Sequence, residues 1–287
     1  MTDKFLLLKE KAAFIRKEVL RVAVQNGAGH IAPSLSTVDL LVALYYDVIR
    51  ISKDWSGSAE WERRDRVIFS KAHGCYALYA ILCDLGFIGR ADWENFYKGS
   101  FLSGCLERRE VCGLEVSCGS LGHGLPMAVG IAYAAKRQGG PDHKYRIYCI
   151  IGDGEMQEGS NWEALQFAAK YQLSNLKIII DHNRLQAMDF LENVLSSGGR
   201  DGQECTKELV RRVRAFGCYT KVVPGHDVRK IVQALRGVNR LASPRSPGPQ
   251  CLIAKTIKGY GLPCMENVPK FHFRLPTPEE MAMGARL

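Results

Sequence analysis

The sequence has no long apolar run. Across its 287 residues, no stretch approaches the roughly 18 to 20 consecutive apolar residues of a membrane span. The first residues, MTDKFLLLKEKAAF, carry charges where the apolar segment of a signal peptide would be uninterrupted. We therefore expect a soluble, cytoplasmic protein that does not bind a membrane.

Closely spaced cysteine pairs are also missing. The ten cysteines are scattered, some of them inside apolar runs, as Cys149 and Cys251 are, and no CxxC pair occurs. In a reducing compartment such residues act as small hydrophobic side chains, which disfavours disulfides and zinc sites. No internal repeat is found either, and we expect residues 1–287 to form one compact domain.

The net charge of +9 suggests nucleic-acid binding, but the basic residues do not cluster. They are spread along the chain, without an RNA-binding signature or a basic helix interleaved with aromatic residues. We interpret most of them as residues on solvated helix faces. The open alternative is that a few of them steer anionic ligands such as sugar phosphates towards the protein. No nucleic-acid partner is expected.

Helical and strand patterns alternate along the chain. Helices are predicted at 5–25, 35–50, 74–86, 91–98, 125–138, 160–171, 204–216 and 226–237, and strands at 67–70, 146–151, 176–181, 219–223 and 251–255. This alternation predicts an α/β fold, doubly wound, with a mainly parallel sheet and helices on both faces. The Pro- and Ser-rich stretch 241–250 is predicted to be a surface loop.

Two strand ends carry the strongest functional signal. Gly152, Asp153 and Gly154 follow the apolar run IYCII, and Asn183 follows the strand pattern LKIII. Because the carboxyl ends of parallel strands form a ligand crevice, their oxygens suit Mg²⁺ (or Ca²⁺ or Mn²⁺) carrying a diphosphate. The backbone carbonyl of Leu185 is a third candidate ligand. A GDG tripeptide alone is equally compatible with an ordinary turn, but its spacing to Asn183 favours a thiamine diphosphate site.

A helix start is predicted close to this turn. The segment Ser160-Asn161-Trp162-Glu163 has the form of a capping box, with a helix running from there to about Tyr171. The free amides at its N-terminus are expected to face the anion.

The segment 152–185, GDGEMQEGSNWEALQFAAKYQLSNLKIIIDHNRL, closely resembles the thiamine diphosphate signature of the transketolase family. Three further blocks agree with that family in the same order, namely NGAGHIAPSLSTVDLLVALY, RDRVIFSKAHGCYALYAIL and SCGSLGHGLPMAVGIAYAAK. The resemblance covers nearly the whole chain. It corresponds only to the first half of a full-length transketolase, the diphosphate-binding (PP) domain.

The resemblance implies roles for several side chains. His30 and His73 match histidines that line the reactive carbon of the cofactor and the donor hydroxyls, and His272 resembles a late substrate-facing histidine. A structural role for the imidazole is the alternative, and it stays open for His123 and His272. The remaining residues expected to bind the cofactor are Gly152, Gly154, Glu155, Ser120, Leu121, Gly122, His123 and Asn183, and the expected metal ligands are Asp153, Asn183 and Leu185.

The resemblance also implies a partner. In the family, a glutamate on the pyrimidine-binding domain activates the cofactor, and we expect that domain and the C-terminal domain to lie on a partner chain rather than on this one. Glu158, counted with His30, His73 and His272 among the expected catalytic residues, is expected at the interface with the partner, where it would bond to that glutamate. We therefore expect a split, two-gene transketolase, with a second subunit in an α₂β₂ arrangement, that transfers a two-carbon ketol unit from a ketose, typically a phosphate, to an aldose. The ending PTPEEMAMGARL favours a natural split over a truncation.

Two other functions remain open. The α subunit of a 2-oxoacid dehydrogenase or decarboxylase binds the same cofactor, but such subunits lack the early GAGH and SKAH blocks and usually have paired asparagines where this chain has His182 and Asn183. A catalytically silent assembly subunit is the second alternative. The intact Asp153, Asn183, His30 and His73 disfavour it.

One position departs from the family pattern and gives a first prediction. Where transketolases usually have PGHP, this chain has Ser103-Gly104-Cys105-Leu106, unless the loop aligns differently. A thiol, with a reference pKa of about 8.5, does not replace an imidazole as a proton carrier. We expect Cys105→His to change the rate or the donor preference on ordinary ketose phosphates. Unchanged rate and preference would count against a role for this position.

Overall fold

A computed structural model describes residues 3–27, 29–108, 113–139, 145–195, 202–240 and 248–282. Its α-helices are α1 (Lys4–Asn26), α2 (Ile31–Leu35), α3 (Val38–Ala43), α4 (Ala59–Arg63), α5 (Cys75–Asp84), α6 (Arg90–Glu94), α7 (Gly124–Gly139), α8 (Gly159–Lys170), α9 (Leu191–Val194), α10 (Gly202–Ala215), α11 (Val228–Arg240) and α12 (Pro278–Ala282). Most of the loop predicted at 241–250 lies outside the described residues.

Five parallel strands form the sheet at the centre of the fold. They are β1 (Arg66–Phe69), β2 (Ile147–Gly152), β3 (Leu176–His182), β4 (Tyr219–Pro224) and β5 (Gln250–Lys255), in the order β1-β2-β3-β5-β4. Every residue of β2 and β3 is buried, as expected for parallel strands covered on both faces, whereas the edge strand β4 is partly exposed. All five predicted strands are confirmed within one residue at each end.

Helices cover the sheet and close the core. On one side, α7 packs on α8 and against β1, β2 and β3, while α1, α3, α5 and α11 pack together as a second group. In α1, Leu8, Ala12, Ile15 and Val19 form a buried stripe at helical spacing, and Gly27 ends the helix at a φ of 72°. The predicted doubly wound α/β fold is confirmed.

The helix predicted over 35–50 is confirmed only for residues 38–48, and its predicted start is wrong. Residues Ile31–Val48 form α2, α3 and a π-helical turn, with a break at Ser36 and Thr37. There Thr37 Oγ1 donates to the Ser34 carbonyl (2.9 Å), so a hydroxyl takes an acceptor that a continuous helix would use. By length and composition this stretch is apolar enough to cross a membrane, but 83% of it is buried inside the fold.

Two smaller helix predictions also need correction. The helix predicted at 91–98 ends at Glu94, and Tyr97 has a left-handed φ of 63°, which a helix does not accommodate. The capping box predicted at Ser160 does not form, because α8 begins at Gly159 and Ser160 Oγ donates to the Gly122 carbonyl (2.7 Å). The helix itself is confirmed.

The nine cysteines within the described residues are free, and most of them are buried. Burial raises the pKa of Cys118 to about 12, so this thiol stays protonated at neutral pH. This supports the interpretation of the buried cysteines as small hydrophobic side chains.

Candidate functional site

A cleft of about 310 Å³ lies at the carboxyl edge of the sheet. It is lined by residues predicted from the sequence, which are His73, Leu121, Gly152, Asp153, Gly154, Glu155, Glu158, Asn183, Leu185 and His272. It is also lined by residues that the sequence did not single out, namely Pro33, Lys71, Gln157, Gln186, Ala187 and Lys258. Segments following β1, β2, β3 and β5 therefore meet in one place.

Asp153 and Asn183, the two candidate metal ligands with side-chain oxygens, are nearly buried and lie in this cleft. One oxygen of the Asp153 carboxylate accepts from the Arg184 amide and from His182 Nδ1 (2.9 Å), and the other accepts from the Gly154 amide (2.8 Å), so the orientation of the carboxylate is fixed. The Asn183 amide group donates to Asp181 and its oxygen accepts from the Leu185 amide (3.0 Å). This arrangement orients hard oxygen donors, which suit a divalent cation completed by phosphate oxygens.

Glycines keep the floor of the cleft open. Gly154 lines the cleft, and a Cβ atom added there would lie 3.1 Å from the Gln186 side chain. Gly122 lies outside the lining, but a Cβ atom added there would lie 2.7 Å from the Cβ of Glu158, which does line the cleft. Gly122 also has a φ of 79°, which favours glycine. Because Gly152 and Gly154 carry no side chain, the cleft keeps room there for a diphosphate.

Lys258 provides positive charge in the cleft. The residue is 2% exposed, and its ammonium group donates to the carbonyls of Leu185 (3.2 Å) and Gln186 (2.7 Å) and to His272 Nδ1 (2.8 Å). Burial, and then the repulsion of Lys71, lower the pKa of Lys258 to about 7, although Asp153 and Asp181 act in the opposite direction. A bound anion would stabilise the charged form.

A buried carboxylate, Asp181, joins the segments around the cleft. It is fully buried and accepts hydrogen bonds from Lys71, from Thr256 and from Ser36 Oγ (2.8 Å). Burial acts to raise the pKa of Asp181, but the ion pair with Lys71 and the hydrogen bonds hold it below its ordinary value. Because Asn183 also donates to Asp181, the same carboxylate orients a candidate metal ligand.

Three of the predicted histidines form a cluster, of which His73 and His272 line the cleft and His30 does not. The ring centroids of His30 and His73 are 4.8 Å apart, and that of His272 lies 5.3 Å from His30. Burial, reinforced by nearby His73 and Lys258, lowers the pKa of His30 to about 4. Burial and Lys258 lower the pKa of His272 to about 3, and burial also lowers the pKa of His73. All three rings are therefore neutral at pH 7.

The residues expected to bind the cofactor at 120–123, and Glu158, expected at the partner interface, are placed differently from one another. Leu121 and Glu158 are exposed at the mouth of the cleft, whereas Ser120, Gly122 and His123 are not among the residues that line it. His123 is exposed and its Nδ1 donates to the Leu121 carbonyl (3.1 Å), which favours the structural alternative for its side chain.

Glu155, expected to bind the cofactor, borders the cleft but is buried. It is 2% exposed, and its carboxylate accepts from Ser70 Oγ (2.5 Å) and from the Gly122 and Gly152 amides. Burial raises the pKa of Glu155 against the opposing effect of these hydrogen bonds. Glu155 therefore holds the Gly122 and Gly152 backbones together.

Cys105 lies outside the residues that line the cleft. A Cβ atom added at Gly119 would lie 3.4 Å from its Sγ, and its carbonyl accepts from Tyr79 Oη (2.9 Å) and Ser103 Oγ (2.7 Å). Gly119 precedes the Ser120–Leu121 segment. An effect of Cys105 on donor choice would therefore act through that segment.

Known proteins resemble the chain over nearly its whole length. A family model described as "Transketolase, thiamine diphosphate binding domain" matches residues 9–281. The chain is 36% identical over 280 residues to a subunit of apulose-4-phosphate transketolase from Actinobacillus succinogenes, covering 96% of this chain and 94% of that protein. It is 32% identical over 286 residues to the 6-deoxy-6-sulfo-D-fructose transketolase subunit SqwG of a Clostridium species, covering 99% and 97%.

Solved structures extend this comparison. The crystal structure of transketolase from Campylobacter jejuni matches with a TM-score of 0.82 at 28% identity, covering 98% of this chain and 42% of that one. This chain therefore spans about two fifths of the solved transketolase, while it spans nearly all of the relatives described as subunits.

The histidine cluster predicts how stability depends on pH. The pKa values of His30 and His272 in the folded protein, about 4 and about 3, lie below the value of about 6.5 in an unfolded chain. Between these values the unfolded chain binds more protons, so the free energy of unfolding rises with pH and this contribution is complete above about pH 6.5. After allowance for solvent screening, we expect a loss of about 1–2 kcal/mol between pH 7 and 4.5 in urea unfolding.

Two variants isolate this effect from general acid destabilisation. The double change His30→Asn and His272→Asn should flatten the pH dependence, whereas His123→Asn, at an exposed histidine, should leave it unchanged. Equal pH dependence in all three proteins would contradict the assignment.

Proposed function

This chain belongs to the transketolase family, as its thiamine diphosphate binding domain, and from that premise we propose that it is one subunit of a two-chain ketol transferase. The enzyme would move a two-carbon unit from a ketose to an aldose. The observation that carries the proposal is the cleft in which the oxygens of Asp153 and Asn183 and the buried ammonium of Lys258 surround an open glycine floor.

The chain's own groups would hold the cofactor. Asp153, Asn183 and the Leu185 carbonyl would bind a divalent cation, with Mg²⁺ preferred and Ca²⁺ or Mn²⁺ as alternatives, and Lys258 would face the diphosphate. Binding the anion would compensate the charge of Lys258, which in the described residues donates only to neutral acceptors. Thiamine diphosphate supplies, when bound, the electron sink for the two-carbon carbanion.

The histidines would handle protons near the substrate. His30 and His73 are neutral at pH 7, so each can accept a proton at one ring nitrogen and donate one at the other. In His272 the Nδ1 accepts from Lys258, which leaves the proton on Nε2. His272 would therefore present a hydrogen-bond donor to a substrate hydroxyl.

The substrate is proposed to be a ketose with an anionic end group. The names of two relatives specify a phosphate-bearing and a sulfo-bearing sugar, respectively. The net charge of +9 favours the capture of anions in general.

A second chain would supply the rest of the enzyme. Relatives of the same length are described as subunits, and a solved transketolase is more than twice as long. We propose that the pyrimidine-binding domain, with its activating glutamate, and the C-terminal domain belong to a partner in an α₂β₂ assembly. Residues 1–287 would form the single diphosphate-binding domain.

The outer surface of α7 and α8 is the proposed docking surface for this partner. Leu121, Phe167 and Tyr171 are 37 to 41% exposed, and the rings of Phe167 and Tyr171 are 4.4 Å apart, with Tyr133 beside them. The surface continues to Glu158 at the mouth of the cleft. Contiguous exposed aromatic residues of this kind are typical of protein interfaces.

Association of the two chains tests this surface. We expect Phe167→Asp to weaken binding of the second subunit by about 30-fold or more, because it places a charge among aromatic residues at an interface. Phe14→Asp is the matched control, since Phe14 is similarly exposed, at 42%, but lies on α1. Surface plasmon resonance against the purified partner measures both. A loss of binding caused by Phe14→Asp instead would place the interface on α1.

Cofactor binding tests the function itself. In the complex with the second subunit, calorimetry with thiamine diphosphate and Mg²⁺ should show binding by the native protein and a loss of at least about tenfold in affinity for Asp153→Asn, which removes a charged metal ligand. Asp189→Asn makes the same chemical change outside the cleft lining and should bind normally.

Two results would oppose the proposal. No binding by the native complex would favour the silent assembly role, and robust ketol transfer by this chain alone would refute the split of the site between two chains.

A further inference from the structure

Lys258 reaches the cleft from a short segment that follows β5. Thr256 donates to Asp181, the Gly259 amide donates to the Ala32 carbonyl (3.0 Å), and the Asn267 amide donates to the Lys258 carbonyl (2.9 Å). These contacts fix the segment on both sides of Lys258. The Ile257 amide, immediately before Lys258, donates to a side chain outside this segment.

His226 binds that amide. It lies just after β4, and its Nε2 accepts from the Ile257 amide (2.8 Å), while its Nδ1 is 2.8 Å from Asp39 Oδ2. Because Nε2 accepts, the ring proton of a neutral His226 must be on Nδ1, where it is donated to the carboxylate. The ring also stacks on Tyr260, with centroids 3.5 Å apart and planes at 13°.

The carboxylate that orients His226 is itself fixed. Asp39, on α3, is 4% exposed and forms an ion pair with Arg16 on α1, which is 6% exposed. The Arg16 guanidinium lies 4.9 Å from the Tyr260 ring. A continuous set of contacts therefore runs from α1 and α3, through His226, to the backbone beside Lys258.

We propose that His226 is a positioning residue, which sets the place of the Lys258 ammonium in the cleft by holding the Ile257 amide. The inference rests on the proposed function, because Lys258 is assigned there to the diphosphate. Asp39 selects the tautomer of His226 that can accept. Buried polar contacts of this kind rigidify a site when every member has its partner.

A double-mutant cycle tests whether His226 acts through Lys258. The measured quantity is the dissociation constant for thiamine diphosphate with Mg²⁺, in the complex with the second subunit. His226→Ala should raise it about tenfold, in line with the loss of one fixed hydrogen bond at the site. In a Lys258→Met background, the same change should raise it less than about twofold, because the group being positioned is gone.

Two further variants separate positioning from general stability. His226→Gln, whose side-chain oxygen can accept from the Ile257 amide, should restore most of the affinity and serves as the test if His226→Ala does not fold. Val213→Ala, a core change on α10, should lower thermal stability without changing the dissociation constant.

The outcomes are distinct. If His226→Ala raises the dissociation constant equally with and without Lys258, this inference is overturned and the proposed function stays intact. An unchanged affinity in both His226 variants would have the same meaning. An unchanged affinity in Lys258→Met would overturn both the diphosphate role of Lys258 and the positioning role of His226.

Discussion

The buried carboxylate of Asp181 is the interaction on which the carboxyl edge of the sheet depends. It lies at the end of β3 and receives Lys71 from the segment after β1, Thr256 from the segment after β5, and Ser36 from the break between α2 and α3. Removing one partner of such a pair typically costs about 3–5 kcal/mol, because the remaining charge is left buried. The same carboxylate also accepts from Asn183, so the stability of this edge and the orientation of a candidate metal ligand depend on one group.

The charges of the cleft explain why a diphosphate suits it. Lys258 is buried among neutral acceptors, and its pKa is lowered, first by burial and then by Lys71. The neighbouring His30 and His272 are kept neutral by burial and by the same lysine. An anion placed beside Lys258 would remove this repulsion, and a divalent cation on Asp153 and Asn183 would bring the anion there.

Much of the fold could be predicted from the sequence, because buried β-branched runs such as those of β2 and β3 have few alternative structures. The GDG turn and Asn183 were found for the same reason, since each follows such a run. Lys258 was missed because a lysine in a glycine-rich loop has the pattern of any solvated residue. His226 was missed because its partners, Asp39 and Ile257, are remote in sequence. The helix break at Ser36 and Thr37 was missed because it involves a hydrogen bond from a side chain to the backbone, which hydrophobic periodicity does not report.

The central claim is that one divalent ion, held by the ends of β2 and β3, anchors the cofactor. Anomalous diffraction from crystals of the two-chain complex, grown with Mn²⁺ and thiamine diphosphate, tests it directly. The account predicts one strong manganese peak bounded by the Asp153 carboxylate, the Asn183 amide oxygen and the Leu185 carbonyl, with the diphosphate beside Lys258. A cofactor bound in the cleft with the manganese elsewhere, or with no manganese, would contradict it.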